Sequence, residues 1–173
     1  MTYVIILLLT FYFSSRADLL YENITGVLIL PEYRLYTMLY IILLACSFGY
    51  KVYKIFIEIG APYLYRFTIS LSSLIMIIGA IAPYQINSND FLSNLHVYCC
   101  MSASLSILIH LFLYFYYIKF KEIEFYNKYY PYYLKSIEFL IILTIVFGRI
   151  NGYIEIIFTI IVCFTLYTIE KNK

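Results

Sequence analysis

The chain reads as an all-α, polytopic membrane protein, a six-transmembrane-helix bundle in a single membrane domain, and three observations predict this. Its 173 residues are 64% hydrophobic and 13% charged, with a mean hydropathy of +0.85, which lies outside the composition of a water-soluble domain. The apolar residues fall in runs that match a hydrocarbon core of about 30 Å, which takes about 20 helical residues to cross. Lysine and arginine concentrate in alternate connections between those runs, the pattern of a membrane protein whose basic loops stay cytoplasmic.

The first span, about 2–21, opens on VIILLLTFYF and must take in Ser14, Ser15, Arg16 and Asp18 to reach spanning length. A signal-peptide reading of Ser15-Arg16-Ala17 lacks the basic segment that should precede the apolar run. The second span, about 35–56, ends at Lys51 and Lys54, which can snorkel to the headgroups. The third, about 65–82, carries Ser70, Ser72, Ser73, Gly79 and Ala80 and stops at Pro83. Small residues of this kind let helix backbones approach within a bundle. The fourth is about 91–118. Between 133 and 169 the apolar run is too long for one crossing and contains Gly148-Arg149-Ile150-Asn151-Gly152. Glycine suits a helix C′ position and asparagine an N-cap, so a tight hairpin joins spans of about 133–148 and 152–169.

An N-terminus in the cytoplasm puts Lys51, Lys54, Arg66, Lys119, Lys121, Lys128, Lys135, Lys171 and Lys173 inside, and only Arg16, Arg34 and Arg149 outside. This nine-to-three bias over short loops predicts both termini cytoplasmic and an even number of spans; the plasma membrane is the expected location. The connection after span four mixes lysine, glutamate and tyrosine. It reads as an interfacial aromatic belt near anionic lipid.

A net charge of +2 without one basic patch gives no nucleic-acid surface. Cys46, Cys99, Cys100 and Cys163 all lie in apolar segments and read as small packing residues. The only histidines, His96 and His110, are fourteen positions apart on span four. At 1.5 Å rise they lie roughly 21 Å apart along the axis and cannot share a metal. No third histidine completes a three-histidine zinc site, and no metal or cofactor is expected.

At 100° per residue span four separates into two faces. His96, Cys99, Cys100, Ala103, Ser106, Ile107, His110 and Tyr114 share one, which should look into the bundle. Tyr98, Met101, Leu105, Leu108, Ile109 and Phe112 share the other, which should meet lipid. Each histidine serves either as a hydrogen-bonding group between helices or as a functional group held at membrane depth. Glu155, one turn into span six with Thr159 and Cys163 below it, has two readings of equal standing. It forms a charge-assisted hydrogen bond with His96, or it complements a helix dipole. The first external loop holds Asn23-Ile24-Thr25, which fits a glycosylation acceptor, and Glu32, by default a solvated loop carboxylate.

Thr25-Gly26 followed by Pro31-Glu32, His96 at the start of span four, and Gly152-Tyr153-Ile154-Glu155 opening span six together resemble one family. It comprises the six-span proteins that include the damage-regulated autophagy modulators (DRAM), the FGF-receptor-activating protein and the Golgi protein that remodels GPI-anchor lipids. The short N-terminus, terse loops and abundant Tyr, Ile, Lys and Asn set this chain apart from the animal members and suit a bacterial relative. The resemblance implies a lipid-facing role and no mapped active site.

The leading expectation is a non-enzymatic protein that binds, senses or organises membrane lipid through an outer-leaflet polar pocket of Glu32, Asn94, His96 and Glu155. One alternative is a lipid-modifying enzyme with His96 as base and Glu155 orienting it, although no serine elbow, phosphate-binding loop or metal cluster accompanies them. Another is a small proton-coupled transporter using His110 and Glu138.

Overall fold

The computed structural model describes residues 1–85 and 90–172. Every regular element among them is helical: α1 (Thr2–Ser14), a 3-10 segment (Ile24–Ile29), α2 (Pro31–Glu58), α3 (Tyr63–Ile81), α4 (Phe91–Ile118), α5 (Ile123–Phe147) and α6 (Gly152–Lys171). The chain is an all-α polytopic membrane protein: α2 to α6 are each long and apolar enough to cross a bilayer. The sixth apolar helix, α1, has 13 residues, about 20 Å at 1.5 Å per residue.

The boundaries follow local chemistry, and three depart from those predicted. α1 stops seven residues before the expected end of its span. The hydroxyls of Ser14 and Ser15 donate to the carbonyls of Phe11 and Tyr12 at 2.9 and 2.7 Å. Asp18 then starts a turn, its carboxylate accepting from the N–H of Leu20 at 3.1 Å. Such local bonds offer the backbone an alternative to continued helix. α2 begins four residues early, at Pro31, where a missing N–H costs nothing. Glu32 sits in its first turn, where the helix dipole favours a carboxylate, and so is a helical and not a loop residue. α5 begins ten residues early and runs through Pro131, so much of the expected loop after span four is helix. Proline at this position withholds the N–H that would bond the carbonyl of Asn127.

Other ends match their chemistry closely. At the end of α2, Gly60 adopts φ 65°, its N–H donates to Ile57, and the N–H of Ala61 reaches back to Phe56. This is the Schellman arrangement, with Pro62 just beyond. Asp90 caps α4 by accepting from Leu92 and Ser93 at 2.9 Å each. In the last hairpin Gly148 has φ 65° and the side chain of Asn151 accepts from Ile154 at 3.2 Å. These are the C′ and N-cap roles that glycine and asparagine fill best.

The chain divides into two compact units, a central one of Met38–Asn127 and a terminal one of Met1–Thr37 with Lys128–Lys173. In the central unit α3 lies along α4. Phe48, Val52, Ile55 and Phe56 of α2, Ile69 of α3, and Ile107, Leu111, Tyr114, Phe115 and Ile118 of α4 are fully enclosed. Small residues bring the backbones together: a Cβ on Gly49 would fall 1.9 Å from Ser73 Oγ. The opposite face of α4, with Tyr98, Met101, Leu105, Ile109 and Phe112, is exposed as predicted, while Leu108 is half-buried. In the terminal unit α1 packs on α6. Leu140 of α5 meets Ile154 and Ile161 of α6, with Leu143, Phe147, Ile157 and Phe158 around them.

Candidate functional site

The polar site of the central unit is built where α3 ends and α4 begins. Pro83 lies four residues past Gly79 and has no N–H, so it leaves the Gly79 carbonyl without its intrahelical donor. His96 takes that place: its Nδ1 lies 2.7 Å from the Gly79 oxygen. A carbonyl oxygen only accepts, so Nδ1 carries the proton and Nε2 of the neutral ring carries a lone pair. His96 is 1% exposed, and Nε2 has no hydrogen-bond partner among the described residues.

Two further features hold the imidazole. Tyr84 stacks on it, with ring centroids 4.8 Å apart and planes 29° from parallel. The N–H of the next residue, Gln85, donates to Ser93 Oγ at 3.0 Å, and the Ser93 hydroxyl donates to Asp90 Oδ2 at 2.7 Å. The cap of α4 thus also anchors the segment that carries Tyr84. Gly79 allows the close helix approach that the histidine bond requires. A Cβ there would meet Cys99 Cβ at 2.9 Å and Cys100 Sγ at 3.0 Å.

In the terminal unit the start of α6 is latched to the segment before α2. The N–H of Gly152 donates to the carbonyl of Glu22 at 2.8 Å. A side chain at Gly152 would run into Leu19, 2.5 Å from Cδ2 and 3.2 Å from Cα. Glu155 Oε2 accepts from the N–H of Ile24 at 2.5 Å, and the Thr25 amide bonds the same carboxylate. Asn151, wholly buried, donates to the carbonyl of Leu20 at 3.5 Å. Guanidinium groups rest on aromatic rings in this unit, Arg149 on Tyr21 and Arg16 on both Tyr12 and Tyr33.

Of the four residues expected to form one pocket, Glu32 and Glu155 belong to the terminal unit and Asn94 and His96 to the central one. Glu155 is half-buried against the Ile24–Thr25 backbone, and Glu32 and Asn94 are exposed. His110 is satisfied at both nitrogens. Nδ1 donates to the Ser106 carbonyl at 2.7 Å, and Nε2 lies 2.9 Å from the Thr68 hydroxyl. Phe56 closes on it edge-on. Glu138 is exposed on α5.

Comparison with family models, with curated proteins and with solved structures finds no match to this chain. What the site can do therefore follows from its own chemistry. A buried, neutral imidazole with one nitrogen committed and the other open can accept a hydrogen bond from an O–H or N–H group.

Sequence reasoning singled out His96 but missed the residues that set its state. Gly79 and Pro83 stand in an i, i+4 relation that already implies an orphaned carbonyl, a signal present in the sequence. Tyr84 carries no such signal, because its position over the ring depends on how the segment after Pro83 folds back onto α4.

Proposed function

We propose that this integral membrane protein binds and organises membrane lipid without turning it over, with His96 as the polar contact. In this reading both termini face the cytoplasm and the protein resides in the plasma membrane. The nine-to-three distribution of basic residues supports that orientation, and His96 then lies toward the outer leaflet. The kinship suggested by the Thr-Gly, Pro-Glu, histidine and Gly-x-x-Glu features, that of the DRAM and GPI-lipid-remodelling proteins, belongs to the same proposal. A lipid-facing role is what it implies.

The observation that carries the reading is that Nε2 of His96, buried in a helical membrane unit, has no hydrogen-bond partner among the described residues. Leaving a buried polar atom unpaired costs about 1–3 kcal/mol, and ionisable side chains at membrane depth are costly enough that they mark functional positions by default. Its partner nitrogen explains why a histidine caps Gly79. It does not explain why the other nitrogen stays open.

The test is mass spectrometry of the lipids that copurify with the wild type, His96→Ala and His96→Asn. Asparagine places an N–H donor near the position of Nδ1 and nothing at that of Nε2, so it preserves the cap on Gly79. A lipid enriched with the wild type and lost from both variants supports binding at His96. The same bulk lipid in all three preparations contradicts it.

A further inference from the structure

From the geometry around His96 we infer that the lipid it holds presents a neutral hydroxyl group, which donates a hydrogen bond to Nε2. This inference rests on the reading of His96 as a lipid contact and specifies what that contact selects.

Three steps lead from the fold to the ligand. Pro83 fixes the tautomer, because the carbonyl it orphans on Gly79 is met at 2.7 Å by Nδ1 and can only accept. A flip of the ring, which would put Cδ2 in the place of Nδ1 and break the bond to Gly79, is opposed by Tyr84, stacked on its face with centroids 4.8 Å apart. Nε2 is therefore an acceptor of fixed direction, and a ligand that offers only acceptor atoms, such as a phosphodiester or an ester carbonyl, leaves it unsatisfied. The donor's charge follows from the surroundings. His96 is 1% exposed, and its contacts among the described residues include the Gly79 carbonyl and the Tyr84 ring. No carboxylate hydrogen-bonds to the imidazole among the described residues. An ammonium at Nε2 would have no carboxylate bonded to the same imidazole among the described residues, and desolvating an unpaired charge costs far more than desolvating a hydroxyl. A neutral O–H satisfies Nε2 without that penalty.

Two kinds of lipid supply such a group: a headgroup alcohol, as in phosphatidylglycerol, and the free hydroxyl of a diacylglycerol. Phosphatidylcholine has neither. The lone pair of Nε2 lies in the plane of the ring, so the donor approaches the ring edge while Tyr84 stays on its face; any adjustment falls on the segment after α3. Tyr84 follows Pro83 outside any helix, so such an adjustment breaks no helical hydrogen bond.

The experiment reconstitutes the full chain in nanodiscs of phosphatidylcholine doped with phosphatidylglycerol in one arm and diacylglycerol in the other. Retained lipid is counted by native mass spectrometry. The wild type is expected to enrich one dopant about fivefold to tenfold over phosphatidylcholine, the worth of one satisfied buried acceptor. The arm that responds identifies the source of the hydroxyl. His96→Asn, which keeps the bond to Gly79, is expected to abolish the enrichment. If the wild type retains phosphatidylcholine in a His96-dependent way and ignores both dopants, lipid binding stands and the hydroxyl inference is overturned. If no lipid is retained in a His96-dependent way, both fail. The wild-type arms need no variant to fold.

Discussion

The carboxylate of Glu155 accepts a hydrogen bond from the N–H of Ile24, 131 residues earlier in the chain, at 2.5 Å. This contact joins the two stretches of the terminal unit, and the bond from Gly152 to Glu22 lies beside it. It gives the Gly-x-x-Glu sequence a physical meaning: the glycine lets the backbone of residues 19–22 approach, and the glutamate one turn on receives the amides that follow.

Glu155→Ala should release that segment. A hydrogen bond contributes about 0.5–1.5 kcal/mol and the carboxyl holds two amides, so the variant should unfold at lower temperature in detergent. The amides of Ile24 and Thr25 should exchange with solvent at least tenfold faster. Glu155→Gln keeps an acceptor and should show a smaller effect on both. Hydrogen exchange followed by mass spectrometry of residues 18–30 reads this directly.

Gly152→Ala should be more damaging than its single methyl suggests. The added Cβ falls 2.5 Å from Leu19 Cδ2, and behind that side chain stand the Leu19 Cα at 3.2 Å and the Glu22 carbonyl at 3.3 Å. Overpacking of this kind costs about 1–3 kcal/mol. A fall in melting temperature that Leu19→Ala partly reverses would locate the clash, whereas no such reversal would place it on the backbone.

Gly49→Ala should separate α2 from α3 through Ser73, whose Oγ would lie 1.9 Å from the new methyl. The double variant Gly49→Ala, Ser73→Ala removes that oxygen and leaves a contact of 3.0 Å to the Ser73 Cβ. It should therefore recover most of the stability lost by the single substitution. Thermal unfolding of the four-member cycle measures the coupling.

Pro83→Ala gives position 83 an N–H and lifts the restriction that favours the extended backbone of Ala82 (ψ 131°), so that α3 can lengthen and bring this N–H to the Gly79 carbonyl. It then competes with His96, and the fixed tautomer should relax to a mixture. Histidine ¹⁵N spectra of the variant and the wild type, compared at one pH, distinguish a single tautomer from an exchanging pair. His110 should be unaffected, because its Nδ1 bonds the Ser106 carbonyl within α4.

Much of the architecture was legible in the sequence because membrane helices must satisfy their backbone internally and show it as long apolar runs. The two faces of α4 separated on periodicity alone, and Gly148 and Asn151 fill the turn and cap roles read from residue type. The ends of α1 and α5 were less legible, for opposite reasons. Ser14 and Ser15 turn the chain with hydroxyl bonds that apolar counting does not register. The lysines, glutamates and tyrosines before Tyr133 read as a loop, yet α5 already starts at Ile123 and continues through Pro131, because one missing N–H can be tolerated. Of the site, His96 and Glu155 were visible as polar groups in apolar surroundings. Their partners, the Gly79 carbonyl and the Ile24 amide, are backbone atoms without a residue-type signature, and only the fold brings them near.

The measurement that tests the central claim most directly is the ¹⁵N spectrum of His96 in nanodiscs, recorded without and with the hydroxyl lipid. The account predicts that Nδ1 stays protonated throughout while the Nε2 resonance moves as it begins to accept a hydrogen bond. A spectrum in which Nε2 carries the proton, or in which neither nitrogen responds to the lipid, would contradict it.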